Sequence, residues 1–161
     1  MKTLSFFRLV VAVGLCLAVG AVGSVATTPK IPTWYAGLAK PAFTPPNVAF
    51  PVVWTTLYVL MAVALWRLWD RHPPSRGRAL AIGLFLVQLA LNALWSPVFF
   101  GLEAPGAGLV VIVALWFAIL ATIAASARLD RTAALLLAPY LAWVTYAAAL
   151  NAAIYAMNPP A

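Results

Sequence analysis

The sequence predicts an all-α integral membrane protein, a single domain over residues 1–161 built as a bundle of five transmembrane helices. Three observations carry that expectation. Of 161 residues, 65% are hydrophobic and 8% are charged, against roughly half and about a quarter in an average soluble domain. The apolar residues fall into five stretches, each near the ~20 residues needed to cross a bilayer. The basic residues gather at the ends of those stretches, as a bilayer requires. A soluble fold of this size cannot hide so much apolar surface. A chain with a mean hydropathy of +1.00 does not stay solvated as a disordered one either. The net charge of +7 raises the question of nucleic acid, but the basic residues flank apolar runs, so the expected partner is the lipid bilayer and no nucleic acid. Cys16 is alone and lies in an apolar run, which excludes a disulfide framework or a thiolate metal cluster. The one histidine, His72, lies in a polar loop. No metal, cofactor or catalytic residue is expected.

The spans are placed at residues 5–26, 48–69, 79–100, 105–127 and 132–157. Span one begins after Lys2 and contains Arg8; with the small residues Ala21 to Ala26 it also resembles a cleavable signal peptide. Its apolar run is longer than such a peptide needs, so a retained span is the reading adopted. Residues 27–47 carry Pro29, Pro32, Pro41, Pro45 and Pro46 and are expected to form a rigid, irregular loop. Short connections join the other spans. Lys2, Arg8, Arg67, Arg71, Arg76, Arg78, Arg128 and Arg131 then share one side, while Lys30 and Lys40 stand alone on the other. This bias places the N-terminus on the cytoplasmic side, in a bacterial cell membrane or alternatively an outer envelope membrane. The arginines read as topology signals and contacts to anionic lipid.

Polar groups inside a span are costly and therefore informative. Gln88, Asn92, Trp95 and Phe99 are spaced four, three and four along span three, one face of a helix. Tyr140, Trp143, Ala147 and Asn151 do the same on span five, and Trp54 and Tyr58 lie one turn apart on span two. Span two begins at the side of the Pro-rich loop, and spans three and five end there. These residues therefore occupy one leaflet. Turned inward, they line one aromatic cavity beneath that loop. Turned otherwise, the tryptophans and tyrosines are interfacial anchors and the amides are interhelical glue. Pro97 and Pro139 are candidates for kinks that open space between helices. Gly14, Gly20 and Gly23 on span one, with Ala107 and Gly108 on span four, permit close helix approach, within one chain or in a homodimer. No charged residue lies within a span away from its ends, which argues against a proton-coupled pump or a charged channel filter. Any ligand should be flat or greasy and held by aromatic and aliphatic contact.

Three motifs in order then resemble one family. Trp34-Tyr35-Ala36-Gly37-Leu38-Ala39-Lys40-Pro41 with Pro45-Pro46 and Trp54-Thr55-Thr56-Leu57-Tyr58 form the first. Gln88-Leu89-Ala90-Leu91-Asn92 with Trp95 and Phe99-Phe100-Gly101 form the second. Pro139-Tyr140-Leu141-Ala142-Trp143 with Ala147 and Leu150-Asn151 form the third. Together they resemble the TspO/MBR family of tryptophan-rich sensory proteins and translocator proteins, from about Trp34 to Asn151. Spans one and four match by hydrophobicity rather than motif. The resemblance implies a five-helix bundle, a homodimer, and binding of porphyrins such as protoporphyrin IX, in some members also sterols and synthetic isoquinoline or benzodiazepine ligands. It implies pocket residues Trp54, Asn92, Trp95, Phe99, Trp143, Ala147 and Leu150, to which the leaflet argument adds Tyr58 and Asn151. It implies a loop lid of Trp34, Tyr35, Lys40, Pro41, Pro45 and Pro46. A bulkier residue at the Ala147 position affects ligand binding in the family. Phe43 and Val48 stand where relatives often carry Trp, Ala107 occupies a region where animal members carry one, and no Lys or Arg completes a cholesterol motif after Leu150 and Tyr155. A tetrapyrrole is accordingly the expected ligand over cholesterol.

The resemblance leaves three functions open. One is sensing, sequestration or transport of a tetrapyrrole, with Lys30 and Lys40 placed to meet porphyrin carboxylates or, alternatively, merely solvated in the loop. Another is light-dependent porphyrin degradation, with Trp54 and Trp143 beside the excited macrocycle. The last is a structural membrane partner without a small ligand.

Overall fold

The computed structural model describes residues 2–159; the side chain of Lys2, counted above among the basic residues, lies outside the described residues. All the regular structure described is helical. Five helices are long and apolar enough to cross a membrane: α1 (Lys2–Thr27), α3 (Ala49–Asp70), α4 (Arg76–Ser96), α5 (Pro105–Ala127) and α6 (Arg131–Met157). A one-turn helix, α2 (Trp34–Gly37), lies in the Pro-rich loop, preceded by a 3-10 turn at Thr28–Lys30. The loop is thus partly helical, where the proline count predicts only irregular chain. Proline at the first helical position costs no hydrogen bond, since that N–H has no partner anyway. Pro105 opens α5 in this way, and α5 has the predicted bounds.

The third span differs from expectation. Its α-helix ends at Ser96, and Pro97–Gly101 form a π-helical turn. Glu103 follows with φ +54°, a left-handed conformation that costs a side-chain-bearing residue about 1 kcal/mol or more. Lys30 holds it there, its ammonium 2.6 Å from Glu103 Oε1. Pro139 lies inside α6, which stays helical on both sides of it.

Around the bundle, α1 sits between α3 and α4, and α6 between α3 and α5; α4 and α5 close the ring. Close approaches use glycine. A Cβ on Gly20 would stand 2.6 Å from the Tyr58 ring, and one on Gly108 would stand 2.9 Å from Phe99. Gly14 has open space around it instead. The buried core runs through the middle of the bundle, from Met61, Leu65 and Leu68 of α3 to Phe85 of α4, Leu115 and Ile119 of α5 and Leu137 of α6. The outward faces are apolar, as lipid requires.

At the end away from the Pro-rich loop, several arginines do more than mark topology. Arg67 grips Asp130 with two parallel hydrogen bonds, Nε to Oδ2 and Nη2 to Oδ1, both 3.0 Å. Asp130 also caps α6 by accepting from the Ala133 N–H at 3.0 Å, and His72 Nε2 lies 3.3 Å from Oδ2. Arg8 and Ser5 of α1 bond Asp70 at the end of α3, at 3.1 and 2.7 Å. Burial alone would raise the Asp130 carboxyl; the hydrogen bonds from Arg67, Ala133 and His72 outweigh it and hold the group down at about 2, from 3.8. The stability it contributes is present above about pH 4 and is lost as pH falls toward 2. Asp130→Asn is expected to unfold in detergent about 2 kcal/mol more easily than the parent at pH 7, with the two curves converging as pH approaches 2. Thermal denaturation followed by circular dichroism across that window checks it.

Candidate ligand-binding cavity

In the half of the bundle beneath the Pro-rich loop, the helices stand apart and leave a cavity of about 260 Å³. Its floor is a buried chain of hydrogen bonds across three helices. Tyr58 OH donates to Asn92 Oδ1 at 2.7 Å, and Asn92 Nδ2 donates to Tyr140 OH at 3.0 Å. Tyr58 lies nine residues into α3, about 14 Å from its start at the rise of an α-helix. The floor therefore sits near mid-membrane.

The walls are aromatic. Trp54 stacks on Tyr58 with ring centroids 5.5 Å apart, and Trp95 stacks on Phe99 at 5.1 Å. Trp143 meets Phe50 edge-on at 6.0 Å. Ala147 and Leu150 complete the α6 side, and the small Ala147 leaves the room between them. Asn151 also reaches the wall, but both ends of its amide are committed to the bundle. Oδ1 accepts from Trp95 Nε1 at 3.2 Å, and Nδ2 donates to the Pro105 carbonyl at 2.8 Å. Trp143 Nε1 is different: it is buried and has no hydrogen-bond partner. Such a donor, left unpaired in apolar surroundings, costs about 1–3 kcal/mol. Gln88, one turn below Asn92, is buried with neither end of its amide paired, and lies outside the cavity wall.

The structure brings Trp54, Tyr58, Asn92, Trp95, Phe99, Trp143, Ala147, Leu150 and Asn151 together on this one wall. Of the lid residues, only Tyr35 reaches the cavity. Trp34 packs edge-on against Phe99 at 5.6 Å and plugs the top from above. Pro41, Pro45 and Pro46 shape the loop without touching the cavity. The lid is fastened to α6: Asn158 exchanges two hydrogen bonds with the Ala39 backbone at 3.0 and 2.9 Å, and Tyr146 OH donates to the Phe43 carbonyl. Phe43 also packs on the Tyr146 ring, so a smaller aromatic residue than Trp serves as a lid anchor there.

Neither lysine is placed as a free cation for a ligand carboxylate, nor is either merely solvated. The Lys40 ammonium donates to the carbonyls of Tyr35, Ala36 and Leu38 at 2.7, 3.3 and 2.8 Å, using its three protons to close α2. Lys30 is paired with Glu103. The cavity wall carries no formal charge among the described residues. What it offers is stacking area and a few amide and hydroxyl groups, a surface suited to binding.

Residues of α1 and α5 that line the cavity escape the motif reading. Gly20, Gly23 and Ser24 form the α1 side, and Ile112 and Leu115 the α5 side. A signal for the first exists in the sequence, since positions 20, 23, 24 and 27 are all small or hydroxylated at helical spacing. The aliphatic pair on α5 has none.

The TspO/MBR family model matches residues 12–157. The chain belongs to the TspO/MBR family. Among its curated relatives in TspO/MBR, the tryptophan-rich protein TspO of Chlorobaculum tepidum is 46% identical, over 94% of this chain and 96% of that one. The tryptophan-rich protein TspO of Archaeoglobus fulgidus is 44% identical, over 96% and 99%. The translocator protein of Homo sapiens is 38% identical, over 78% and 75%. With five spanning helices and TspO/MBR membership, the chain is a multi-pass integral membrane protein.

Proposed function

We propose that this TspO/MBR protein is a membrane receptor for a flat, hydrophobic tetrapyrrole, of which protoporphyrin IX is the test case, and that it senses, sequesters or passes on that molecule. The observation that carries the reading is the uncharged aromatic cavity walled by Trp54, Trp95, Phe99 and Trp143. Paired and stacked rings suit a macrocycle face, which gains from offset or edge-on contact. Small-ligand sites usually run from ~300 to ~1,000 Å³, so at about 260 Å³ this cavity encloses part of a tetrapyrrole and leaves an edge outside. The charged lysines take no part, and the carboxylates of a porphyrin belong at that outer edge.

The test is a dark titration of protoporphyrin IX into detergent-purified protein, followed by tryptophan quenching. Saturable binding at one site per chain is expected, with affinity lowered about fivefold in Trp143→Phe, roughly the worth of the indole's extra stacking face. Quenching that never saturates and is the same in both proteins overturns the reading, because the porphyrin is then only partitioning into the micelle. The placement of Trp54 and Trp143 along one cavity favours a second reading, photo-oxidative breakdown of the bound porphyrin with molecular oxygen as the oxidant. Loss of more than one equivalent of porphyrin per protein under light, with the tryptophans intact, distinguishes turnover from photodamage.

A further inference from the structure

The top of the cavity is closed by buried Tyr35, Phe99 and Phe100 beneath α2, yet four of its lining residues are exposed. These are Ser24 in the last turn of α1 with Thr28 just after it, and Asn47 just before α3 with Pro51 in its first turn. They form two lips one helical turn long, facing each other across the seam between α1 and α3. The opening therefore lies on the side of the bundle, where α1 and α3 meet the two ends of the Pro-rich loop, away from Trp34 and Tyr35 of α2. The α1 wall just inside it is Gly20 and Gly23, so α1 itself puts no side chain into the passage; the Tyr58 ring and the Ser96 hydroxyl face these glycines from α3 and α4. Val25, the next residue along, is 78% exposed and points to lipid. Hydroxyl and amide groups at the lips fit the interfacial zone, where an amphiphile keeps its hydrophilic edge.

We propose that the cavity is loaded sideways, from the leaflet on the side of the Pro-rich loop, through this seam, by flat apolar molecules dissolved in the bilayer. The lid fastened by Asn158 and Tyr146 then stays shut during loading. The inference concerns the route and holds for any flat apolar occupant, so it is tested without porphyrin.

Ala147→Cys places a thiol in the wall of the cavity; the native Cys16 is buried with no exposure and lies outside that wall, so the parent chain serves as the blank. The protein is reconstituted in nanodiscs and labelled with N-(1-pyrenyl)maleimide delivered in the lipid, and the labelling rate is read by pyrene fluorescence. Adding Ser24→Phe on one lip, or Asn47→Trp on the other, is expected to slow labelling about tenfold, while Val25→Phe and Asn158→Ala change it less than about twofold. Two lip variants guard against one that folds poorly, and each is checked for helical content and monodisperse elution. Labelling unaffected by both lip substitutions overturns the proposal, as does acceleration by Asn158→Ala, which would mean loading past the lid. Because the readout is a maleimide and not a porphyrin, failure here leaves the porphyrin titration to stand or fall separately.

Discussion

Ala147→Phe is expected to weaken protoporphyrin IX binding at least about thirtyfold, or roughly 2 kcal/mol, while leaving the fold intact. Ala147 lies half-buried on the α6 wall between Trp143 and Leu150, and its small side chain is part of the reason a cavity exists there. A benzyl group has two places to go. It can enter the cavity, where it removes ligand volume from a space of only about 260 Å³, or it can push α6 from its neighbours. The first costs little stability, because the ring fills empty space with apolar contact. The same tryptophan-quenching titration reads the affinity, and thermal unfolding reads the alternative. Unchanged affinity with unchanged stability would show that the ligand does not use this wall.

Asn92→Leu is expected to be the most damaging single change for the bundle, at about 3 kcal/mol. Its amide accepts from Tyr58 and donates to Tyr140, so the leucine strands two hydroxyls near mid-membrane. An interhelical hydrogen bond in a bilayer is itself worth only about 0.6–1.7 kcal/mol, since the separated helices also find partners. The larger figure comes from stranding both partners at once in a buried site. Tyr58→Phe removes one bond and leaves the Asn92–Tyr140 bond in place, and is expected to cost no more than about 1 kcal/mol. Denaturation in mixed micelles compares the two. If Asn92→Leu is no worse than Tyr58→Phe, the floor is not held by this chain of bonds.

The extent to which these features are legible in the sequence follows from what each residue type signals. The five spans stand out because lipid demands long apolar runs, and Pro105 marks the start of α5 without ambiguity. The end of the third span reads to within a residue, but its change from α to π does not, because a π-turn and an α-turn have the same apolar composition; only Pro97 hints at it. The cavity wall of α3, α4 and α6 is readable because aromatic and amide residues are conspicuous inside a membrane and recur at helical spacing. The α1 wall is not, because a glycine lining a cavity and a glycine seated against a neighbour look alike; Gly20 does both. The lysines are misread for a different reason. Lys30 finds its partner 73 residues away in Glu103, and Lys40 finds its partners in its own loop carbonyls, so neither pairing leaves a local pattern. The same holds for Arg67 and Asp130, 63 residues apart.

The paired charges at the two ends of the bundle and the uncharged wall between them bear on what can drive the protein. Moving an elementary charge across a membrane at 100 mV is worth about 2.3 kcal/mol, and proteins that harvest that energy carry the charge inside the field. Here the described arginines and lysines that form pairs are tied down near the interfaces, where the voltage falls least, and on the proposed route the cavity opens within a single leaflet. A neutral ligand exchanging through the side of such a bundle crosses no part of the potential. On the proposed side route its occupancy would follow its concentration in that leaflet alone, and the protein would act as a gauge of what the membrane has dissolved rather than as a machine that concentrates it.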